Sequence, residues 1–132
     1  MYLVINPTSE LPVYQQIVDQ IKREIAFGRL SNTDKIPTVR ELAAQLIINP
    51  NTIAKAYRIL EQQGIVMTRV GSGTFVSDAG SSLSDDARKS LVCSKLESGA
   101  VEAATLRIPK STVSQWFETI LSQFLFRDSE RN

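Results

Sequence analysis

Counting from Tyr14, apolar residues return at Ile17, Val18, Ile21 and Ile25, the three- and four-residue steps of one helix face. Pro12 suits the first helical position, where its missing N–H forfeits no bond, and Gly28 can take the left-handed conformation that ends a helix. The pattern predicts a first helix over 12–27. A second begins at Thr38, with Glu41 three residues on, the spacing of a capping box. Pro37 ends the extended segment before it, and Leu42, Ala43 and Leu46 form a short inward face. After I-I-N-P-N-T, Asn49 is a good N-cap and Pro50 a good first residue for a third helix. Ile53, Ala56, Tyr57 and Leu60 face inward there, and Gly64 ends it. Only about three residues separate the second and third helices, the connection length of a helix-turn-helix.

Two β-prone runs, 65–70 and 74–77, flank Gly71-Ser72-Gly73 and read as a hairpin. Met1–Ile5 reads as an additional strand. Three helices followed by a hairpin is the order of a winged helix. Residues 78–83 are a small-residue linker. Beyond them a helix from Ser84 or Asp85 to about Leu106 carries Ala87, Leu91, Leu96, Ala100 and Ala104, a weaker stripe interrupted by Gly99 and stopped by Pro109. The segment 111–126 is more strongly amphipathic, through Val113, Trp116, Phe117, Ile120, Leu121 and Phe124.

The expected fold class is therefore mainly α with a small β-hairpin. A winged helix-turn-helix domain over 1–77 precedes a two-helix hairpin over 84–132. Two helices alone have too little core to be stable, so the tail stripe packs either on the winged-helix body or on another chain. The second is favoured: a homodimer through Leu91, Val113, Trp116, Phe117, Ile120, Leu121 and Phe124.

Composition narrows the chemistry. The 132 residues contain no His, which excludes His-ligated metals, Ser-His-Asp or Cys-His catalysis and imidazole switching. A single Cys, Cys93, excludes an intrachain disulfide and is expected as a buried small thiol. The opening M-Y-L-V-I-N-P lacks the basic region and apolar run of a signal peptide, and no stretch is long and apolar enough to span a bilayer. A cytoplasmic, non-catalytic chain with no cofactor and no membrane partner is expected. Fifteen Lys and Arg against fourteen Asp and Glu leave a net charge of +1. Residues 1–76 carry +2 and 77–132 carry −1, so any cationic surface is local.

Three places could carry chemistry. The first turn of the third helix holds Asn49, Asn51, Thr52 and Lys55, short polar groups and a cation opposite the apolar face, as a helix entering the major groove needs. A capped helix with a solvated face has the same pattern and is the commoner case. Arg40 lies in the first turn of the second helix, where a cation opposes the helix dipole and needs a partner. Asp34 or Glu41 could supply one, and so could nucleic acid, onto which Arg forks two donors. At the hairpin, Arg69 sits beside Gly71, so backbone and cation could reach a phosphate or a minor groove. A tip that simply needs positive φ fits equally well. G-S-G-T-F-V lacks the third glycine and following helix of a dinucleotide fingerprint.

Taken in order, P-V-Y-Q-Q-I, I-K-R-E-I-A-F-G-R-L, D-K-I-P-T-V-R-E-L-A-A-Q-L, N-P-N-T-I-A-K-A-Y-R-I-L-E-Q-Q-G-I-V and R-V-G-S-G-T-F-V resemble the GntR family of bacterial transcription regulators over roughly residues 10–77. The short two-helix tail and the N-P-N-T start resemble its small YtrA-like subfamily. The resemblance implies a dimeric winged-helix repressor, often of a transporter operon, bound to a double-stranded DNA operator. By position it assigns DNA contacts to Arg40, to Asn49, Asn51 and Thr52, and to Arg69 with Gly71. With the neighbouring polar and wing residues, the expected DNA-binding set is Lys35, Thr38, Arg40, Asn49, Asn51, Thr52, Lys55, Arg69, Gly71, Ser72 and Gly73.

Departures from the family pattern shift the expectation. Pro50 and Ala54 stand where larger-tailed relatives often carry Arg, so base reading falls more on Asn51 and Lys55. Thr33 stands where a glycine is usual. The tail is too short for the family's large effector domains, so a small-molecule effector is left without an assigned pocket. The near-neutral charge leaves one alternative function, a winged-helix protein-interaction module that binds no DNA.

Overall fold

A computed structural model describes residues 1–77 and 82–126. Of the linker expected at 78–83, residues 78–81 lie outside the described residues. The chain forms two compact units, Met1–Ser82 and Leu83–Asn132.

The first unit contains α1 (Val13–Ala26), β1 (Lys35–Ile36), α2 (Val39–Leu46), α3 (Pro50–Gln62), β2 (Val66–Arg69) and β3 (Gly73–Val76). Both helices of the helix-turn-helix are capped as their sequences predict. Thr38 accepts from the Glu41 amide while Glu41 accepts from the Thr38 amide, and Asn49 Oδ1 accepts from the Asn51 amide. The apolar faces converge on one core in which Ile17, Ile21, Ile36, Leu42, Ile53 and Leu60 are almost wholly removed from water. Tyr57 belongs to this core. Its phenol donates to the Pro37 carbonyl at 2.6 Å, tying α3 to the turn that starts α2, and burial pushes its ionisation above the ordinary range.

The hairpin is present, with strands slightly shorter than the β-prone runs, and a third strand joins it. The order is β1-β3-β2, antiparallel throughout, with Lys35 opposite Phe75 and Arg69 opposite Gly73. Met1–Ile5 does not form the expected strand. Side-chain amides of α1 hold this segment instead. Gln20 accepts from the Val4 amide and donates to the Val4 carbonyl, at 2.9 and 2.6 Å. One turn earlier the buried Gln16 does the same for Asn6, at 2.8 and 2.9 Å, and also donates to the Leu11 carbonyl. Leu3 thereby enters the core without a partner strand.

The second unit contains α4 (Asp85–Thr105), capped by Ser84, and α5 (Lys110–Leu121). α4 runs through Gly99 without a break. α5 stops at Leu121, short of the expected end at Phe126. The Ser122 hydroxyl donates to the Thr119 carbonyl, and the Gln123 and Phe124 amides turn back three residues to Ile120 and Leu121, closing the helix in tight turns. No residue of either helix is buried. Cys93, expected inside, is exposed, because α4 has no packed face to hide it. Among the described residues no helix is long and apolar enough to cross a membrane.

Candidate nucleic-acid interface

Arg40 occupies the second residue of α2, exposed, in the half-turn where the unpaired amides favour anions. Neither carboxylate that could have neutralised it does so. Asp34 accepts from the Ser31 amide, Glu41 closes the capping box, and among the described residues Arg40 has no ion pair. A cation held against a helix dipole with its fork of donors unused is positioned for a partner outside the chain.

The start of α3 lies across a short turn from α2. Asn49 Oδ1 is committed to the cap while its side-chain N–H groups keep their capacity to donate, and Asn49 and Asn51 are both exposed. Thr52 is half-buried. Lys55 continues the exposed face, with its ammonium 4.0 Å from the centre of the Tyr14 ring of α1. Arg58, three residues further along the same face, is exposed and was not anticipated from the sequence. The helical step from Asn51 and Lys55 was the signal that could have found it. The Thr38 hydroxyl accepts from a backbone amide and keeps its own proton to donate.

On the sheet, strand pairing joins residues far apart in sequence. Directly opposed residues share a face, so Lys35, Phe75, Arg69 and Gly73 lie together on the outer side of the wing. The Arg69 guanidinium sits 5.2 Å from the Phe75 ring centre. The Lys35 stem crosses Gly73 so closely that a Cβ there would stand 2.7 Å from Lys35 Cε. Gly73 at φ 128° and Gly71 at φ 83° both need the freedom of glycine, and the Ser72 amide donates to the Arg69 carbonyl to close the tip. Val70 is fully exposed there.

The expected dimer residues divide by exposure. Leu91, Trp116, Phe117 and Ile120 are exposed, while Val113, Leu121 and Phe124 are half-buried. Between α4 and α5 lies an apolar groove of about 700 Å³, bordered by Leu96, Ala100, Ala103, Val113, Trp116 and Phe117. Among the described residues no cluster of Cys, Asp or Glu is arranged to hold a metal ion.

A helix pair with a capped, polar second helix, an unpaired arginine beside it and a cationic three-stranded wing defines a winged helix-turn-helix regulator. Residues 13–76 match the model of the bacterial regulatory proteins, gntR family. The HTH-type transcriptional repressor YtrA of Bacillus subtilis is 34% identical over 116 residues, covering 88% of this chain and 89% of that protein. The chain belongs to the GntR family of bacterial transcription regulators. Among solved structures, a transcriptional antiterminator from Listeria monocytogenes matches with a TM-score of 0.81 and 32% identity, over 91% of this chain and 90% of that one. The DNA-binding domain of AraR in complex with operator ORX1 matches with a TM-score of 0.52 and 36% identity, over 58% of this chain and 99% of that one.

Proposed function

We propose that this chain is a homodimeric repressor that binds a pseudo-palindromic DNA operator, with a transporter operon as the expected target. The observation that carries the reading is Arg40, unpaired and exposed in the first turn of α2 next to the start of α3. Base edges are met by Arg40, Asn49, Asn51 and Thr52 in the major groove, while Lys35, Thr38 and Arg58 take phosphates. Lys55 joins them: its ammonium lies over the Tyr14 ring of α1, so it is assigned a phosphate in place of the base edge its sequence position suggests. The wing lays Arg69, Gly71, Ser72 and Gly73 along the adjacent backbone or minor groove. Two points support this use of the domain: the AraR domain that this chain resembles was solved on its operator, and YtrA is named a repressor.

The second unit serves as the dimer contact. Its two helices leave Trp116, Phe117, Ile120 and Leu91 in water, and a second copy covers them at the least cost in polar groups. Two-fold symmetry then spaces the half-sites by about 10 bp or a multiple of it. Arg40→Ala is expected to weaken operator binding by about 1–3 kcal/mol in fluorescence anisotropy. Unchanged affinity removes the assignment of Arg40. Wild-type binding that ignores salt, or no binding at low salt, favours a protein-interaction module instead.

A further inference from the structure

Ile47 ends α2 with φ 55° and ψ 55°, a left-handed conformation that costs a β-branched residue free energy, yet its side chain is 90% exposed. The backbone turn itself closes α2, with the Ile47 and Ile48 amides both donating to the Ala43 carbonyl. A glycine would close it without the β-branched cost, and the Ile47 side chain packs on nothing that offsets it. Ile47 does border a shallow depression of about 540 Å³ between α2 and α3, formed with Arg40, Ala43, Ala44, Ile48 and Pro50. Of the residues lining the depression only Arg40 is charged or polar in its side chain. Pro50, which also lines it, is the first residue of α3 and is followed directly by Asn51.

The surroundings of this depression select its occupant. Its lining includes an arginine with no ion pair among the described residues and the first residue of the helix that carries Asn49 at its cap and Asn51 in its first turn. The surface is continuous with the proposed DNA contact, and its cation complements the negative potential of a duplex. Within a major groove the one apolar group on a base edge is the C5-methyl of thymine. Pro50 has neither a polar side chain nor a backbone N–H, so it reads no base by hydrogen bonding and presents only ring carbons. We infer that Ile47 and Pro50 form a seat for a thymine methyl, next to the base that Arg40 engages, so that each half-site carries one methyl-dependent thymine.

This rests on the DNA-binding reading above, and the test separates the two. Duplexes are selected with the full chain from a randomised duplex pool. Each thymine of the winning sequence is then replaced singly by deoxyuridine, which removes the methyl and keeps the pairing. Affinities are read by fluorescence anisotropy for the wild type and for Ile47→Gly and Pro50→Ala. The expected result is one thymine per half-site at which deoxyuridine weakens the wild type about fourfold, the scale of one buried methyl group. In Ile47→Gly and Pro50→Ala that penalty shrinks toward nothing. Both substitutions suit their backbones, and an unchanged far-ultraviolet circular dichroism spectrum excludes misfolding. Selection that succeeds with no thymine sensitive to its methyl overturns the seat and leaves the DNA-binding reading standing. A methyl penalty that is the same in both variants assigns the contact to other residues and also overturns the seat. Failure to enrich any sequence overturns both.

Discussion

Thr33 and Ile47 each hold a β-branched side chain in the left-handed region, at φ 69° and 55°. The two were not equally legible. Thr33 stands where family members usually carry glycine, a departure that marks the turn without giving its geometry, and its φ is positive. Ile47 lies in a stretch that reads simply as a short connection, and nothing in its residue type announces a left-handed cap. Replacing either with glycine relieves about 1–2 kcal/mol of backbone cost and adds about 0.5–1 kcal/mol of unfolded-state entropy to be lost. A net stabilisation of about 0.5–1 kcal/mol is expected for each, seen as a higher urea midpoint; a lower midpoint contradicts it. Stability gained at Ile47 with thymine discrimination lost is the trade expected where strain serves function. Tyr57 has a different dependence. Its folded phenol ionises above the ordinary value of 10, so the unfolded chain gives up its proton first as pH rises. Its contribution is complete below about pH 10 and declines above it. Tyr57→Phe is expected to cost about 1 kcal/mol at neutral pH by leaving the Pro37 carbonyl unpaired, and to flatten the alkaline decline. Urea titrations at pH 8 and 10.5 measure both effects, and an equal decline in the two proteins would show that another group causes it.

At the level of elements, the legible features were those in which periodicity and caps agree. Ile53, Ala56, Tyr57 and Leu60 between Asn49 and Gly64 leave one reading of α3, and the core confirms it. The N-terminal segment failed for a physical reason. M-Y-L-V-I has the apolar density of a strand, but strand pairing is a long-range event, and here glutamine amides on a helix supply the bonds a neighbouring strand would give. The end of α5 failed because its apolar stripe continues to Phe124 while the backbone turns at Ser122, a local competition that periodicity does not register. β1 is only two residues long, too short for a pattern, yet it brings Lys35 onto the wing. The glutamine clamp yields a direct test. Gln16→Ala removes three hydrogen bonds at once and should cost about 2 kcal/mol. The Asn6 amide should then exchange with deuterated solvent far faster while α3 amides keep their ranking. Unchanged protection at Asn6 would show that the Gln20 clamp on Val4 and the burial of Leu3 hold the segment without Gln16.

For the whole molecule, the +1 net charge bears on how DNA is held. A chain without a broad positive field must reach affinity through a few placed cations, and in the first unit Lys35, Arg40, Lys55, Arg58 and Arg69 are all exposed. Each copy then contributes about four phosphate contacts, and a dimer about eight, so the logarithm of affinity should fall with the logarithm of salt at a slope near −7. One copy alone should give about half that slope. In the proposed dimer the second half-site contact becomes intramolecular, which would raise binding by about 10²–10⁴ without any new type of contact. Trp116→Asp separates these contributions, because Trp116 is 54% exposed in a helix with no buried residue and its loss removes no core. A charge placed in an apolar contact between two copies is strongly unfavourable, whereas the same charge on a solvated helix costs little. The expected outcome is a single-chain mass in light scattering, an unchanged melting curve for the first unit, a salt slope near −4 and operator affinity lower by at least about a hundredfold. A two-chain mass with full slope would place the dimer contact away from α5. A single-chain mass with undiminished affinity would mean that the operator is read by one copy, and the pseudo-palindrome would go with it.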